Sequence, residues 1–225
     1  MGLLTRRPDL TPERFGHHWL SVHGPLAARL PGLRAYHQNH VVDSEQLGIT
    51  YARGAWSLDG FSELWFDHRD AMRRAIASEA YGPVAADAGA FLGDTRVIVA
   101  EQRVVVPVPA DAGPLVKRMS LLTRRPEHDA DRFRHEWSSV HAPMVARFPH
   151  LVGYTQTLIT GREATPGAAA SYDAVPADGI VEMWFRDVDG LRAAFASDAA
   201  REAQAHARAF IAEITTFLVR PHGIV

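Results

Sequence analysis

Histidine is the residue type in this sequence that most directly suggests chemistry, because its ordinary pKa lies near neutral pH. Of the twelve histidines, only two pairs recur in an internally repeated pattern: His17 with His135, and His23 with His141. His23 lies eight residues after Phe15, on the buried stripe of a predicted helix, whereas His17 points away from that stripe. His23 and His141 are therefore candidate acid/base groups. The alternative is a pair of buried imidazoles that each hydrogen-bond to a carbonyl.

Each copy of the pattern also contains a glutamate beside a tryptophan, in the motif Glu-x-Trp-Phe. Alternation along an extended strand places Glu63 with Trp65, and Glu182 with Trp184, on the face opposite the apolar set. A carboxylate on such a face acquires a raised pKa or orients a histidine. The alternative is a buried salt bridge to the arginines that open each copy. Those arginines are Arg6, Arg7, Arg124 and Arg125.

A tyrosine and a glutamine share one face of the preceding strand in both copies. The tyrosine hydroxyl either donates a hydrogen bond to a developing oxyanion or simply fills a cavity wall. His40 lies on the same face as Gln38, and Trp56 in the following loop adds an apolar surface. We predict that the catalytic residues are His23, His141, Tyr36, Tyr154, Glu63 and Glu182. We predict that the substrate-binding residues are Trp56, Trp65, Trp184, Gln38, Gln156 and His40.

A metal site in this sequence would have to use His37, His40 and His23. The second copy replaces His37 with Thr155 and His40 with Leu158, and there is no cysteine to complete a ligand set. The glycine-rich loops of nucleotide-binding proteins and the serine elbow of hydrolases are also missing. We therefore predict chemistry without a metal or another cofactor, with a single metal site as the alternative.

Composition narrows the class of protein further. The 225 residues carry a formal net charge of −2, which gives no electrostatic reason to bind nucleic acid or an anionic membrane. No apolar run approaches the roughly 20 residues that span a bilayer, and the first residues lack the apolar core of a signal peptide. We predict a cytoplasmic protein. Lys117 is the only lysine, which we interpret as the codon bias of a GC-rich genome rather than as function.

The candidate residues recur because the chain contains one sequence pattern twice. Leu-Leu-Thr-Arg-Arg-Pro begins at Leu3 and again at Leu121, and many later positions match at a nearly constant offset. Matching at this density indicates a tandem duplication. We predict a first repeat at residues 1–106, a proline-rich linker at 107–116 and a second repeat at 117–225.

Each repeat is predicted to fold as βαββαβ. In the first repeat, a helix capped by Thr11 follows a short strand, and two strands follow at about 33–42 and 61–66. A second helix at about 69–91 and a closing strand at about 96–106 complete the repeat. Two helices on one face of a four-stranded antiparallel sheet form the ferredoxin-like arrangement. We predict an α+β fold in which the two sheets pack face to face as a pseudo-dimeric α+β barrel.

The first helix of each repeat is predicted to be amphipathic. A proline follows each repeated histidine, and we expect Pro25 and Pro143 to disturb or end this helix just after His23 and His141. The predicted buried stripe of the first repeat consists of Phe15, Trp19, Val22 and Leu26.

The two repeats differ in the loop between their second and third strands. The loop from Asp43 to Leu58 carries Tyr51, Arg53 and Trp56, whereas the loop at 160–177 is rich in glycine, alanine and threonine. Long loops of this kind are commonly lids or disordered. The asymmetry predicts either that one half-site has become the working one or that both loops gate one shared cavity.

Three motifs occur in both repeats: the Arg-Arg-Pro opening at residues 6–8, the Val-His-x-Pro step that ends at Pro25, and the Asp-Gly…Glu-x-Trp-Phe segment at 59–66. Together they resemble the EthD domain of the dimeric α+β barrel superfamily. The resemblance covers the whole chain except the linker. It implies the barrel fold described above and favours acid/base roles for the histidines.

The resemblance also implies an activity, namely acid/base chemistry without a cofactor on an aromatic or polyketide-like small molecule. The reaction would be a cyclisation, dehydration, decarboxylation or isomerisation, with histidine moving the proton and tyrosine holding the oxyanion. Glutamate would orient these groups, and tryptophan would form an apolar wall. The alternatives are a cofactor-free monooxygenase and a non-catalytic small-molecule-binding or accessory protein. The expected partners are a hydrophobic substrate and, in a homodimer, a second copy of the chain.

Overall fold

In the computed structural model, which describes residues 1–225, the first repeat forms four strands with its helices on one face of the sheet. The Thr11 side chain accepts a hydrogen bond from the Arg14 N–H and so begins the first helix, with Pro12 at its first position. In chain order the elements are β1 (Gly2–Arg6), α1 (Pro12–His18), a π-helical turn (Trp19–His23), α2 (Gly24–Ala27), β2 (Leu33–Asp43), β3 (Gly60–Phe66), α3 (Arg69–Ile76), α4 (Tyr81–Phe91) and β4 (Leu92–Val106).

The second repeat has the same order of elements, with one short additional strand. Asp129 takes the capping position of Thr11 and accepts from the Arg132 N–H. No helix of either repeat is long and apolar enough to cross a membrane. The elements are β5 (Val116–Arg124), α5 (Ala130–His135), a π-helical turn (Glu136–His141), α6 (Ala142–Val145), β6 (Leu151–Thr165), β7 (Ala168–Ala169), β8 (Gly179–Phe185), α7 (Val188–Ala196), α8 (Asp198–Ala207) and β9 (Ile211–Gly223).

Strand pairing closes the two sheets into one barrel. The strand order is β4-β1-β3-β2 in the first repeat and β9-β5-β8-β6 in the second. Each repeat then joins the other at both edges, because β2 pairs with β9 and β4 pairs with β6. Each of these eight strands therefore has a neighbour on both sides, and the two-residue β7 beside β6 is the remaining edge. The predicted pseudo-dimeric α+β barrel is confirmed.

The proline after each repeated histidine widens the first helix instead of ending it. Pro25 lacks an N–H, and its ring excludes a regular helical contact one turn earlier, so the chain forms a π-helical turn and then continues as α2. The extra residue shifts the buried stripe by one position. Val22 and Val140 are exposed, contrary to the predicted stripe, and His141 is buried. After the π-helical turn, His23 faces Asp87 of α4 and His141 faces His206 of α8.

The predicted long helix at 69–91 is in fact two helices, α3 and α4. The Ser78 hydroxyl donates to the Ala75 carbonyl at 2.6 Å, which satisfies a carbonyl group at the end of α3. In the second repeat Ser197 takes the same position, and its side chain accepts from the Ala200 N–H at the start of α8. The break therefore has a local cause that a count of helix-forming residues does not reveal.

The interior of the barrel is a packed apolar core. Both repeats contribute to it, with Phe61 and Phe217 in edge-to-face contact at a centroid distance of 5.6 Å. The other fully buried members include Leu3, Ile98, Met119, Leu121 and Ile180. A core of this kind holds the two halves together.

A buried ion cluster adjoins this core, with Lys117 between the two glutamates of the repeated motif. Lys117 Nζ lies 2.7 Å from Glu182 Oε2 and 3.2 Å from Glu63 Oε2, and the residue is 3% exposed. Lys117 Nζ also donates to Asn39 Oδ1 at 3.0 Å. Glu63 belongs to the first repeat and Lys117 to the second. The ions therefore join the two halves, and the single lysine has a structural role that the interpretation of lysine usage as codon bias did not foresee.

The cluster contains two carboxylates and one ammonium group, so its charges do not cancel. Burial alone would lower the pKa of Lys117, but the two carboxylates outweigh burial and raise it. Burial, followed by the charge of Glu63, raises the pKa of Glu182. Lys117 therefore stays protonated, and without it two buried carboxylates would face each other.

The arginines that open each repeat pair with other carboxylates. Arg6 forms a salt bridge with Asp59, and Arg124 forms the equivalent bridge with Asp178. In both repeats the same aspartate also accepts a hydrogen bond from the arginine's own backbone N–H, at 2.8 Å. These bridges tie the first strand of each repeat to the segment before its third strand. The sequence analysis offered a buried salt bridge between the glutamates and these arginines as an alternative. The glutamates do form a buried salt bridge, but its cation is Lys117.

We predict that Lys117→Met lowers the free energy of unfolding by about 3–5 kcal/mol at pH 8, because it leaves two buried carboxylates without a counterion. Without Lys117 the folded-state pKa of Glu182 rises further above its unfolded value. The loss is then smaller at pH 5 than at pH 8, since protonation relieves the repulsion. Urea unfolding at both pH values measures this difference.

The matched control is Arg34→Met, which removes a cation from the exposed pair with Asp67 and is expected to have little effect. Adding Glu63→Gln and Glu182→Gln to Lys117→Met should restore most of the lost stability. A Lys117→Met protein as stable as the wild type at pH 8 would contradict the role assigned to the cluster.

Candidate functional site

The sheet of the first repeat divides the predicted site residues into two groups. Tyr36 packs with Ala27 and Val84 beneath the helices, whereas Phe61 belongs to the core inside the barrel. Because side chains alternate along a strand, Glu63 lies on the same face as Phe61, where it contacts Lys117. The expectation that the glutamates orient the histidines is therefore wrong, since the histidines lie on the helical side.

The same division separates the residues of the second repeat. Tyr154 belongs to the core beneath the helices, whereas Glu182 contacts Lys117 inside the barrel. The Thr157 hydroxyl and the Gln102 amide donate to the other oxygen of Glu182, each at 3.1 Å. Glu182 is thus fully engaged in the ion cluster and not in contact with His141.

The three predicted substrate-binding tryptophans do not share a cavity. Trp56 packs against the core inside the barrel. Trp65 Nε1 donates to Gln102 Oε1 at 3.4 Å, and Lys117 Nζ lies 5.0 Å from the centre of the Trp184 ring. These tryptophans support the barrel and its ion cluster, so the prediction that they form one apolar wall was wrong.

His37 and His40 lie on opposite faces of β2. The His37 ring meets Trp65 edge to face at 4.9 Å on the barrel side, whereas His40 stacks on Trp19 at 4.4 Å beneath the helices. They are therefore directed apart, and a metal site that uses both is excluded by this geometry. The fold also places no three histidine, aspartate or glutamate side chains where they could hold a metal ion together.

In the first repeat, one carboxylate joins two histidines of the helical layer. Asp87 Oδ2 lies 2.9 Å from His23 Nδ1, and Asp87 Oδ1 lies 2.9 Å from His18 Nε2. Burial lowers the pKa of His23, although Asp87 acts in the opposite direction. The Phe91 ring packs against the same imidazole, with centroids 4.8 Å apart. His23 is thus held between a carboxylate and an aromatic ring.

The polar groups beneath that layer hydrogen-bond to one another. Trp19 Nε1 donates to the Tyr36 hydroxyl at 3.1 Å, and Gln38 Nε2 donates to the same hydroxyl at 2.9 Å. His40 Nε2 lies 3.0 Å from Gln38 Oε1, the remaining polar atom of that amide. Burial lowers the pKa of His40 to about 4, so it is neutral at physiological pH. Tyr36, Gln38 and His40 are therefore brought together, but as a closed network.

The helical layer of the second repeat borders a half-open cavity of about 70 Å³. Its lining is mostly apolar, with a small number of side chains that could direct a ligand. His141 and Tyr154, both predicted from the sequence, line it together with Arg118 and Trp137. Ile49, from the loop of the first repeat, completes the wall. A wider and more polar cleft of about 980 Å³ lies in the first repeat, where His40 and Trp56 are among its lining residues, so the two half-sites differ in character.

A chain of three side chains leads to His141. Glu136 Oε2 lies 3.3 Å from His206 Nε2, and His206 Nδ1 lies 3.3 Å from His141 Nδ1. Both contacts are satisfied when His206 donates from Nε2 to the carboxylate and His141 donates from Nδ1 to His206. This tautomer leaves Nε2 of His141 as a free acceptor. Burial, followed by the nearby His206, lowers the pKa of His141 to about 3, so the imidazole is neutral.

Hydrogen-bonding groups in this layer remain unpaired, unlike their equivalents in the first repeat. Gln156 Nε2 donates to the Tyr154 hydroxyl at 2.8 Å, and burial raises the pKa of Tyr154, which keeps it protonated. Trp137 Nε1 and Gln156 Oε1 are buried without a partner. Leu158 replaces His40, so Gln156 Oε1 loses the contact that Gln38 Oε1 has. The network of the second repeat is therefore open, with Trp137 on the cavity and Gln156 outside its lining.

Arg118 is the site residue that sequence reasoning missed. Its side chain points from β5 into the helical layer, where the residue is 2% exposed. One guanidinium nitrogen donates to the Leu47 carbonyl at 2.9 Å, and another donates to Thr216 Oγ1 at 3.0 Å. Burial lowers the pKa of Arg118 to about 9. Arg118 precedes Leu121, where the match between the repeats begins, so the repeat comparison carried no signal for it.

The β2–β3 loop of the first repeat (residues 44–59) crosses to the second repeat. Gln46 Nε2 donates to the Ile214 carbonyl at 2.8 Å, and the Tyr51 hydroxyl donates to the Ile211 carbonyl at 2.8 Å. At Gly48, which has a φ of +79°, an added Cβ would lie 2.5 Å from Phe195 Cβ. Only glycine fits this contact. The loop of one half therefore covers the cavity of the other.

Comparison with known proteins agrees with this architecture. A family model for the EthD domain matches the chain at residues 7–95 and again at 125–213. No curated protein sequence gives a significant match.

Three solved structures share the fold over nearly the whole chain. An anthrone oxidase-like protein aligns with a TM-score of 0.66 at 13% identity, over 99% of this chain and 91% of its own. A protein from Lactobacillus acidophilus NCFM, named as a candidate monooxygenase, aligns with a TM-score of 0.56 at 11% identity, over 98% and 91%. A protein from Fusobacterium nucleatum with the same designation gives 0.58 at 6% identity, over 98% and 89%. Identities this low establish a common fold.

We predict that Gly48→Ala loosens the crossing loop. The added methyl group meets Phe195, so the loop must move away and amide hydrogen exchange at residues 46–54 should accelerate. The control is Gly32→Ala, a position with a φ of +76° and no atom within 4 Å of an added Cβ. Gly32→Ala should cost only the conformational strain, about 1–2 kcal/mol, without altering exchange in the loop. Unchanged exchange in Gly48→Ala would contradict the assigned contact.

We also predict that His141 titrates far below its ordinary pKa of 6.5. Protonation then favours the unfolded chain, so His141 removes stability as the pH falls from about 6.5 to about 3, by up to about 1.4 kcal/mol per pH unit. Urea unfolding between pH 7 and pH 4 should show a shallower pH dependence in His141→Asn than in the wild type. His17→Asn, at an exposed position, is the control. An imidazole NMR signal of His141 that titrates with a midpoint near 6.5 would refute the assignment.

Proposed function

Because the chain belongs to the EthD domain family and its second repeat contains a cavity bordered by an oriented histidine, we propose that it is an enzyme performing acid/base chemistry without a cofactor. The substrate is a small, mostly apolar molecule with at least one oxygen, bound between the sheet and the helices of the second repeat. The observation that carries this proposal is the Glu136–His206–His141 chain, which ends in a free imidazole nitrogen beside the cavity.

His141 is the proposed general base. Its Nε2 accepts a proton from a carbon next to a carbonyl group, and the Tyr154 hydroxyl donates a hydrogen bond to the enolate oxygen that forms. The hydrogen bond from His141 Nδ1 to His206, which itself donates to the carboxylate of Glu136, holds the tautomer in which Nε2 is the acceptor. The developing enolate charge raises the proton affinity of His141 as the proton moves, because opposite charges stabilise each other. Return of the proton to another atom completes an isomerisation, and departure of hydroxide from the β-carbon, protonated as it leaves, completes a dehydration. In a decarboxylation the loss of CO2 itself forms the enolate, which the same Tyr154 hydroxyl stabilises before a proton adds to carbon.

The cavity is small for such a substrate, since ligand sites commonly measure about 300–1,000 Å³. The crossing loop forms one wall of the cavity, because Ile49 is part of the lining, and side-chain hydrogen bonds such as that from Gln46 to the Ile214 carbonyl attach it to the other repeat. We propose that displacement of this loop admits the substrate and that its return excludes water.

A cofactor-free monooxygenase is the second candidate, and the names of the structural relatives favour it. The same base would form the same carbanion, which would then react with dioxygen. The two reactions are distinguished by their requirement for oxygen, because proton abstraction alone proceeds without it.

Proton abstraction is testable without knowledge of the natural substrate. We expect the protein to accelerate exchange of the acidic C–H protons of acetylacetone, 2-tetralone or anthrone with D2O under argon, as followed by NMR. His141→Phe should abolish the acceleration, and His206→Phe should reduce it about 10²-fold or more, the usual scale of a lost acid/base contribution. His23→Phe is the matched control in the first repeat and should retain most of the activity.

Acceleration that persists in His141→Phe but disappears in His23→Phe would place the site in the first repeat and overturn the proposal. Oxygen uptake with anthrone in air, without exchange under argon, would instead favour the monooxygenase. No exchange and no oxygen uptake with any of these carbon acids would favour the non-catalytic binder.

A further inference from the structure

Arg118 carries a buried positive charge that no group of the protein neutralises. Its guanidinium donates to one carbonyl and one hydroxyl, both uncharged, and its Nε has no partner. A charge removed from water without a counterion is strongly unfavourable, so folded proteins rarely retain one. The retention of this charge beside a cavity therefore requires an explanation.

The other buried side-chain cation of this molecule is paired, since Lys117 has the carboxylates of Glu63 and Glu182. Arg124, which is less deeply buried, has the carboxylate of Asp178. Arg118 alone among these three lacks a carboxylate, and it is the one that borders the cavity.

The position of the Arg118 side chain is also fixed before any ligand binds. The guanidinium lies 4.1 Å from the centre of the Phe195 ring, on which it stacks. Leu47, in the crossing loop, and Thr216, in β9, hold it from two directions. A cation that is already positioned costs little reorganisation when an anion arrives.

We propose that the cavity of the second repeat binds a ligand through an anionic oxygen, such as a carboxylate, that pairs with Arg118. The location of the site rests on the proposed function, whereas the charge of the ligand follows from Arg118 itself. The remaining lining is mostly apolar, so the ligand has an apolar body and one negative group. The Leu47 contact adds a consequence: displacement of the crossing loop removes one of the two hydrogen bonds that position Arg118.

The test compares two probes of equal size and different charge, benzoate and benzamide. Binding at pH 7 is measured by NMR shift perturbation of the wild-type protein and of Arg118→Met, Arg118→Lys and Arg53→Met. Arg53 is the matched control, because it donates to the Thr216 carbonyl from the loop but is not part of the cavity lining. We expect the wild type and Arg53→Met to bind benzoate at least tenfold more tightly than benzamide, with the largest shifts at Arg118 and His141.

Arg118→Met should bind the two probes equally, and Arg118→Lys should retain a reduced preference for benzoate. The inference is overturned if the wild type shows no preference, if Arg118→Met retains the full preference, or if neither probe shifts the cavity resonances at 20 mM. Circular dichroism and melting verify that each variant is folded, and Arg118→Lys provides the answer if Arg118→Met does not fold.

Failure of this inference is distinguishable from failure of the proposed function. If the protein binds benzoate at Arg118 but accelerates no carbon-acid exchange, the anion-binding site stands and the proposed catalysis is wrong. If carbon-acid exchange depends on His141 but the protein binds benzoate and benzamide equally, the proposed enzyme activity stands and the proposed anionic ligand is wrong.

Discussion

The pairing of Lys117 with Glu63 and Glu182 is the interaction on which the rest of the structure depends. The duplication brings two identical strand motifs together, and with them two carboxylates inside an otherwise apolar barrel. A single ammonium group contacts both, which makes the closure of the two sheets compatible with these buried charges. Core side chains and counterions consequently occupy much of the barrel interior, and the apolar cavity of the second repeat lies on the other face of the sheet, beneath the helices.

The two repeats have diverged on that outer face by exchanging the positions of a carboxylate and a histidine. In the first repeat, His18 and His23 flank the carboxylate of Asp87. In the second repeat, Glu136 occupies the position of His18, and His206 occupies the position of Asp87. His206 therefore contacts His141 next to the cavity. The first arrangement is closed on itself. The second ends in a free nitrogen, and the loop of the first repeat supplies the wall that completes it.

The repeat, the order of the strands and the barrel follow from the sequence, because apolar spacing and matched motifs survive duplication. His141 and Tyr154 were predicted for the same reason. Lys117 and Arg118 were not, because they precede the matched stretch and their partners come from distant elements such as Glu63 and Leu47. The π-helical turn was also missed, because a proline predicts a disturbed helix but not the one-residue shift that exposes Val22. Contacts between the repeats depend on the closed barrel, which no local pattern encodes.

The central claim is that duplication has left one ligand site, in the second repeat, on the helical side of the sheet. Crystals soaked in 4-bromobenzoate test it most directly, because the anomalous signal of bromine locates the bound ring without ambiguity. The account predicts one bromine site per chain, in the cavity next to His141, with the carboxylate at the Arg118 guanidinium. A bromine inside the barrel, or one beneath the helices of the first repeat next to His23, would contradict it.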